Sequence, residues 1–379
     1  MKVSVVNEPN KSETRVALSP QSAQKLSSLG AELSIPETYG EALGYSKEEF
    51  EKAKVSFVKE PDLAGSEVVC MLGVPDDPFI DKLPEKTILV SFLDPFRNPE
   101  LIKKLAAKKI SSLCMELIPR TTYAQKMDAL SSQASLAGYA AVIIAADRIK
   151  KAFPMMSTPA GTIPPAKVFI IGAGVAGLQA IATAKRLGAR VEAYDTRPVV
   201  EEQVQSLGAR FVKIDVGETG QTEQGYAKAL TEEQLELQRQ QMAKFIAGSD
   251  IVITTAQVFG RPAPKIVSRD MVEGMRPGSV IVDLAASTGG NVEGTVADKE
   301  VMIKGVKIIG LSNFPAEVAK DASQMYANNV ANLLEHAWNK ETKRLELNLE
   351  DELVSAVLLT HDGEIRDERI RALVEGSHA

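Results

Sequence analysis

The stretch KVFIIGAGVAGLQAIATAKRLGARVEAYDTR, Lys167 to Arg197, decides the fold. Lys167–Ile171 and Arg190–Tyr194 read as apolar strands, and Ala176–Leu187 has helical spacing. Between the first strand and the helix lies Gly172-Ala173-Gly174-Val175-Ala176-Gly177. The first Gly permits a tight turn, the second lets backbone approach a pyrophosphate, and the third allows close helix-to-strand packing. Dinucleotide phosphates would then lie at the positive end of the helix. Asp195, followed by Thr196 and Arg197, ends the next strand, where a carboxylate can accept from the adenosine ribose hydroxyls. That acid favours NAD over NADP, because a 2′-phosphate would meet like charge. Arg197 either binds such a phosphate or pairs locally with Asp195. Glycines that merely ease packing are the plainer alternative, but they need no strand, helix and acid around them.

Outward from this unit the pattern repeats. Downstream come helix Val199–Leu207, strand Arg210–Ile214, helix Thr231–Ala247, strand Ile251–Thr255, helix Pro264–Met275 and strands Ser279–Leu284 and Lys307–Gly310, a doubly wound series. Upstream, the Pro/Gly-rich PMMSTPAGTIPP (Pro154–Pro165) cannot be regular helix and reads as a connection. Before it, Lys2–Val6, Pro20–Leu29, Glu32–Ile35, Lys47–Lys54, Val68–Leu72, Thr87–Phe92, Glu100–Lys108 and Ile110–Leu117 alternate strand and helix. Long helical stretches, Thr121–Ala152 and Pro315–Trp338, flank the second series. The tail from Lys343 is strand-like through Leu359, with a turn at His361–Gly363. The expected fold is α/β: two Rossmann-like domains, each a mostly parallel doubly wound sheet, joined by long helices with a cofactor cleft between them. Residues 1–130 with 321–379 form the first domain, and residues 131–320 the dinucleotide-binding one; 379 residues suffice for two cores.

Composition narrows the chemistry. With 44 Lys+Arg against 50 Asp+Glu, the net charge of -6 is spread along the chain, unlike a nucleic-acid footprint. The N-terminus lacks a signal layout, and the uncharged run Val168–Ala184 is short and broken by glycines, so secretion and direct membrane insertion are not expected. Cys70 and Cys114 sit in apolar runs without metal-ligand spacing. The three His are His336, His361 and His378, so no earlier residue can serve as a His base or ligand. No metal site is expected.

Arg120 is followed by Gln125, Asp128, Ser131, Ser132 and Ser135, spacings that share one face if the segment is helical. A solvated face is the plain reading. Position between the domains favours a second one, in which these groups grip a carboxamide. They are poor proton shuttles at neutral pH and suit a site where a hydride leaves directly. Thr255 and Ala256 end a strand beside the glycine turn, as do Asp283 and the Gly289–Asn291 turn on the next; cofactor lining and simple turn chemistry both fit. Val216–Leu230 is long and Gly-punctuated, either a lid over the ligand through Gly225 and Tyr226 or an exposed loop.

With these residues in view, the chain resembles the NAD(H)-binding domain of the alpha subunit of proton-translocating NAD(P) transhydrogenase. The resemblance is carried by RVALSP (Arg15–Pro20), MELIPRTTYAQKMDALSSQASLAGY (Met115–Tyr139), AFPMM (Ala152–Met156) and AGTIPPAKV (Ala160–Val168). It continues through GAGVAGLQAIATAKRLGA (Gly172–Ala189), QGYAK (Gln224–Lys228), ITTA (Ile253–Ala256), RPGSVIVDLA (Arg276–Ala285) and GGN (Gly289–Asn291). It implies a homodimeric cytoplasmic unit that binds NAD(H) and docks on membrane-spanning partner subunits at the inner membrane. Hydride would pass to or from NADP(H) on the partner's own domain, coupled to proton translocation there. The family's nicotinamide loop matches Arg120, Gln125, Asp128 and Ser131, with Ser132 and Tyr139 among the cofactor neighbours, and its mobile lid matches Gly225 and Tyr226. The fold also serves alanine dehydrogenase, which uses an Arg, a Lys and a His around its substrate. Arg15 matches the first; Met71 or Leu72, and Phe92, stand at the other two. Some transhydrogenase relatives keep that Lys and His, so this chain departs from both patterns. A catalytically silent NAD-binding module is the third reading.

Overall fold

The computed structural model describes residues 1–217 and 230–376. Gly225 and Tyr226, the expected lid, lie outside the described residues. The chain divides into two compact units, Met1–Gln133 with Val318–Ala379, and Ala134–Glu317.

The first unit is built on an eight-stranded sheet. From one edge the strands are Ser56–Val58, Glu32–Pro36, Lys2–Val5, Val68–Cys70, Ile88–Ser91, Ser111–Cys114, Leu358–His361 and Glu364–Ile365. Pairing is parallel up to Ser111–Cys114 and antiparallel for the last two. The parallel strands are apolar on both faces because helices cover both: Leu33, Val68 and Val90 belong to one buried cluster, Val69 and Leu89 to another. Helix Pro20–Leu29 starts at a capping box in which Ser19 and Ser22 cap one another, and Gly30 ends it at φ 99°.

The second unit carries a seven-stranded sheet in the order Arg210–Phe211, Arg190–Tyr194, Lys167–Ile171, Ile251–Thr254, Val280–Asp283, Val306–Gly310, Lys299–Ile303, of which only the last is antiparallel. The direction in which successive strands are added reverses beside Lys167–Ile171, a topological switch point of the kind where open α/β sheets bind ligands. The molecule is therefore α/β with two mostly parallel, doubly wound sheets.

Several elements differ from the sequence reading. Thr121–Ala152 is not one helix: Thr122–Met127 is 3₁₀ and the α-helix begins at Ala129, running to Arg148. Asp128 causes the break by turning its carboxylate onto Ser131, so the polar positions of Arg120–Asp128 share no α-helical face. Pro264–Met275 is helical only over Arg269–Glu273, where Ser268 provides the cap. Glu352–Val357 is helix, capped by Asp351, because Leu353 and Val357 pack on the first unit's core. Pro154–Pro165 contains a two-stranded hairpin, Met156–Thr158 with Gly161–Ile163, and its side chains are exposed. Strands Ser56–Val58 and Lys299–Ile303 carry exposed polar residues, the reason their pattern is weak.

Among the described residues one helix, Ala129–Arg148, is long and apolar enough to cross a membrane by length and composition. Its Ala141, Val142 and Ala145 are buried in the second unit's core. The uncharged run Val168–Ala184 is instead divided among strand, turn and helix.

Candidate dinucleotide site

Strand Lys167–Ile171 passes through Gly172-Ala173-Gly174 into helix Val175–Arg186. Each glycine has a distinct physical reason. Gly172 has φ 98°, and a Cβ there would lie 2.5 Å from Thr255 Oγ1. A Cβ on Gly177 would come within 1.9 Å of the Gly172 carbonyl oxygen, so only hydrogen allows the helix to seat on the turn. Gly174 is the reverse case: a Cβ there would have only Arg197 Nη2 within reach, at 4.0 Å. Its hydrogen keeps space open where the helix begins without a side-chain cap. Free N–H groups, a positive helix end and an unfilled space fit a pyrophosphate. Val175 and Ala176 open that helix, and Val175 is exposed.

Thr255 supports the turn from the neighbouring strand: its N–H donates to the Ile171 carbonyl at 2.9 Å and its hydroxyl to the Gly172 carbonyl at 3.1 Å. Ala256 is fixed by Asn291, which accepts its N–H at 3.1 Å and donates to its carbonyl at 2.8 Å. Asp283 is completely buried and accepts from Thr254 Oγ1, Ala285 N–H, Val292 N–H and Thr295 Oγ1. Asp283 and Asn291 thus perform turn chemistry that holds the strand ends in place. Gly138, absent from the sequence reading, faces the same turn: a Cβ there would sit 2.0 Å from the Ala176 carbonyl oxygen. A glycine inside a strongly helical run was the available signal.

Asp195 is nearly buried. Its Oδ2 accepts from Ala173 N–H at 2.7 Å and Arg197 Nη2 at 2.8 Å, and its Oδ1 from Arg197 N–H and Nε, both at 2.9 Å. Arg197 is therefore the acid's local partner in this structure, and Asp195 raises the Arg197 pKa through that hydrogen bond. All four acceptor positions are taken, so a ribose diol would have to displace the guanidinium.

The first unit holds the polar loop. Arg120 and Gln125 are exposed. Asp128 accepts from Ser131 N–H at 2.9 Å and Ser131 Oγ at 2.5 Å, closing the loop on itself at the helix start. Ser132 donates to Asn329 Oδ1 at 2.6 Å. Gln133, buried, accepts from Arg15 Nη1 at 2.7 Å and donates to the Ala322 carbonyl at 3.0 Å. Arg15 is gripped by Glu13 through two side-chain bonds of 2.8 Å. Tyr139, in the second unit, is 39% exposed.

Glu8 sits beside this cluster and accepts from Leu72 and Gly73 N–H at 2.7 and 2.8 Å. Burial raises its pKa to about 7 despite those bonds. Met71 and Leu72 are wholly buried, and Phe92 lies against Tyr326 with ring centroids 5.0 Å apart. The buried thiol of Cys70 is pushed up to about 12, as inert cysteines are. Among the described residues no group of three or more His, Cys, Asp or Glu is placed to hold a metal ion.

A glycine-turned strand-to-helix crossover at the switch point of a parallel sheet defines a Rossmann-like, dinucleotide-binding type of fold. The family models Alanine dehydrogenase/PNT, N-terminal domain, and Alanine dehydrogenase/PNT, C-terminal domain, match residues 4–137 and 141–368. The NAD(P) transhydrogenase subunit alpha of Haemophilus influenzae is 42% identical over 96% of this chain and 71% of its own length. A transhydrogenase subunit alpha chain of Rickettsia prowazekii is 43% identical over 99% of this chain and 98% of its own. The crystal structure of transhydrogenase from Sinorhizobium meliloti superposes with a TM-score of 0.87 at 43% identity, covering 96% of this chain and all of that one. An L-alanine dehydrogenase structure shares the fold, with a TM-score of 0.82 at 22% identity over the full length of both. The chain belongs to the alanine dehydrogenase/PNT family, and within it to the transhydrogenase alpha subunits.

Proposed function

We propose that this chain is the NAD(H)-binding subunit of a proton-translocating, Re/Si-specific NAD(P) transhydrogenase, active only with its partner subunits. The observation that carries the reading is the loop Arg120–Ser131, in which Asp128 is closed on Ser131 while Arg120 and Gln125 are exposed. Bound NAD(H) supplies a hydride donor or acceptor. Residues Gly172 to Gly177 seat its pyrophosphate, with Val175 and Ala176 N–H at the helix start. Asp195, with Thr196 and Arg197, meets the adenosine ribose, and Thr255 and Ala256 line the strand ends. Arg120, Gln125, Asp128 and Ser131 receive the nicotinamide end: guanidinium and amide groups suit a carboxamide, and no proton donor is needed where hydride passes directly. Ser132 and Tyr139 border this region, and Gly225 and Tyr226 supply the lid. NADP(H) is held by the partner's domain, and proton translocation belongs to membrane-spanning subunits, with this chain peripheral on the cytoplasmic face of the inner membrane. The exposed hairpin around Met156 and Ile163 supports a homodimer.

An alanine dehydrogenase activity is disfavoured. Arg15 is committed to Glu13 and Gln133, and the positions for Lys and His are apolar. A silent NAD-binding module has no need of an exposed Arg and Gln beside a closed Asp–Ser pair.

The test is to mix the purified chain with a transhydrogenase NADP(H)-binding domain and follow hydride transfer between bound nucleotides. Transfer is expected only in the mixture, and Asp128→Ala should lower its rate about 10-fold or more while NADH still binds. Alanine oxidation by the chain alone at ordinary enzyme rates would overturn the proposal.

A further inference from the structure

The loop Arg120–Ser131 buries Ala124, Met127 and Ala129 in the first unit's core, and the other residues of its 3₁₀ turn are exposed. Its shape is fixed by a neighbouring helix, Ala319–His336, through two asparagines one turn apart. Asn329 Oδ1 accepts from Ser132 Oγ at 2.6 Å, and Asn329 Nδ2 donates to the Lys126 carbonyl at 3.0 Å. Asn332 Nδ2 donates to that same carbonyl at 2.8 Å and is itself oriented by Lys25 Nζ, which donates to Asn332 Oδ1 at 2.6 Å. A single amide thus bridges Lys126 and Ser132, the residues on either side of the Asp128–Ser131 closure. Two turns earlier on the same helix, the Ala322 carbonyl holds Gln133.

We infer that Asn329 is the positioning residue of the nicotinamide loop, an inference that rests on the function proposed above. The amide is chemically specific to this place, because it offers an acceptor to Ser132 and a donor to Lys126 in one rigid fork. Aspartate at 329 has the same shape but turns a charged oxygen toward the Lys126 carbonyl, and an alkyl side chain makes neither bond, leaving that carbonyl to Asn332 alone and Ser132 Oγ to the Ala129 carbonyl of its own helix. Asn329 is 6% exposed, so water does not substitute freely. Direct hydride transfer depends on alignment, and a misplacement on the order of 1 Å costs roughly 10²-fold in rate. The clamp residues Lys126, Ser132, Asn329 and Asn332 all belong to the first unit, and Gly172 to Gly177 to the second.

The experiment uses the full chain with Asn329→Asp, measured three ways: amide hydrogen exchange of residues 126–132, NADH affinity, and hydride exchange with an added NADP(H)-binding domain. Expected are faster amide exchange confined to the loop, NADH affinity within about threefold of the parent, and hydride transfer slowed by roughly 10- to 100-fold. Lowering the pH should restore loop protection and transfer together, since the protonated acid regains a donor. If Asn329→Asp fails to fold, Asn332→Leu removes the clamp's second amide donor to the Lys126 carbonyl and should give the same pattern with a smaller loss. Unchanged loop protection, or a loss of transfer matched by an equal loss of NADH affinity, overturns the inference. A parent chain that transfers no hydride sinks the proposed function instead, while loop protection still judges the clamp.

Discussion

Glu8 is a carboxylic acid whose titration the fold moves into the neutral range. Its carboxyl is raised to about 7 by burial, with Glu13 adding repulsion. A carboxyl raised in the folded state binds its proton more tightly there than in the unfolded chain. The ionised form is therefore the costly one: stability is fullest below about pH 4.5 as far as this group is concerned, falls as pH rises through 7, and stays reduced above it. The size is about 1–3 kcal/mol. Glu8→Gln should flatten that slope, read as the difference in denaturant midpoint between pH 5 and pH 8; a slope equal to that of the parent would show that Glu8 is not its source. Arg197 offers a second prediction at this scale. It occupies the acceptors that a ribose diol needs, so Arg197→Met should fold and change NADH and NADPH affinities by different factors. Equal changes by calorimetry would mean that Arg197 has no part in telling the two apart.

At the scale of elements, the glycine turn separates shape from function. Gly177→Ala must push a Cβ into the Gly172 carbonyl and Gly138→Ala one into the Ala176 carbonyl, each costing about 1–3 kcal/mol or more. Gly174→Ala meets nothing closer than the end of Arg197, so its thermal midpoint should hold while dinucleotide affinity falls about 10-fold or more. A Gly174→Ala chain that binds NADH as the parent does would remove the pyrophosphate from this turn. The long polar segment shows where periodicity misleads. Spacings of three and four suggest one α-helical face from Arg120 to Ser135, yet Asp128 caps its own helix and leaves the preceding residues in 3₁₀. A side chain's choice between water and the next N–H is a matter of local geometry that spacing does not encode.

For the whole molecule, the exposed hairpin Met156–Thr158 with Gly161–Ile163 carries the prediction. Met155, Met156 and Ile163 are 66, 46 and 47% exposed, an apolar group on the surface of the second unit. Replacing all three by Ser or Thr should leave the thermal midpoint of each unit nearly unchanged and convert the proposed homodimer to a monomer by light scattering. A dimer that survives would place the interface elsewhere.

What the sequence by itself determined is what rests on short-range rules. Apolar β-branched runs alternating with helical ones specify two parallel sheets, and a glycine triplet between strand and helix specifies its turn, because both follow from backbone sterics and burial of adjacent residues. Asp195 was legible for the same reason, as the end of the next strand. Tertiary structure alone decided the partners. Arg15 is spoken for by Gln133, and the loop at Asp128 by Asn329 and Asn332 from a helix some two hundred residues away in sequence. Hydrogen bonds between distant side chains depend on which elements become neighbours and on distances of tenths of an ångström, and one-dimensional spacing carries neither.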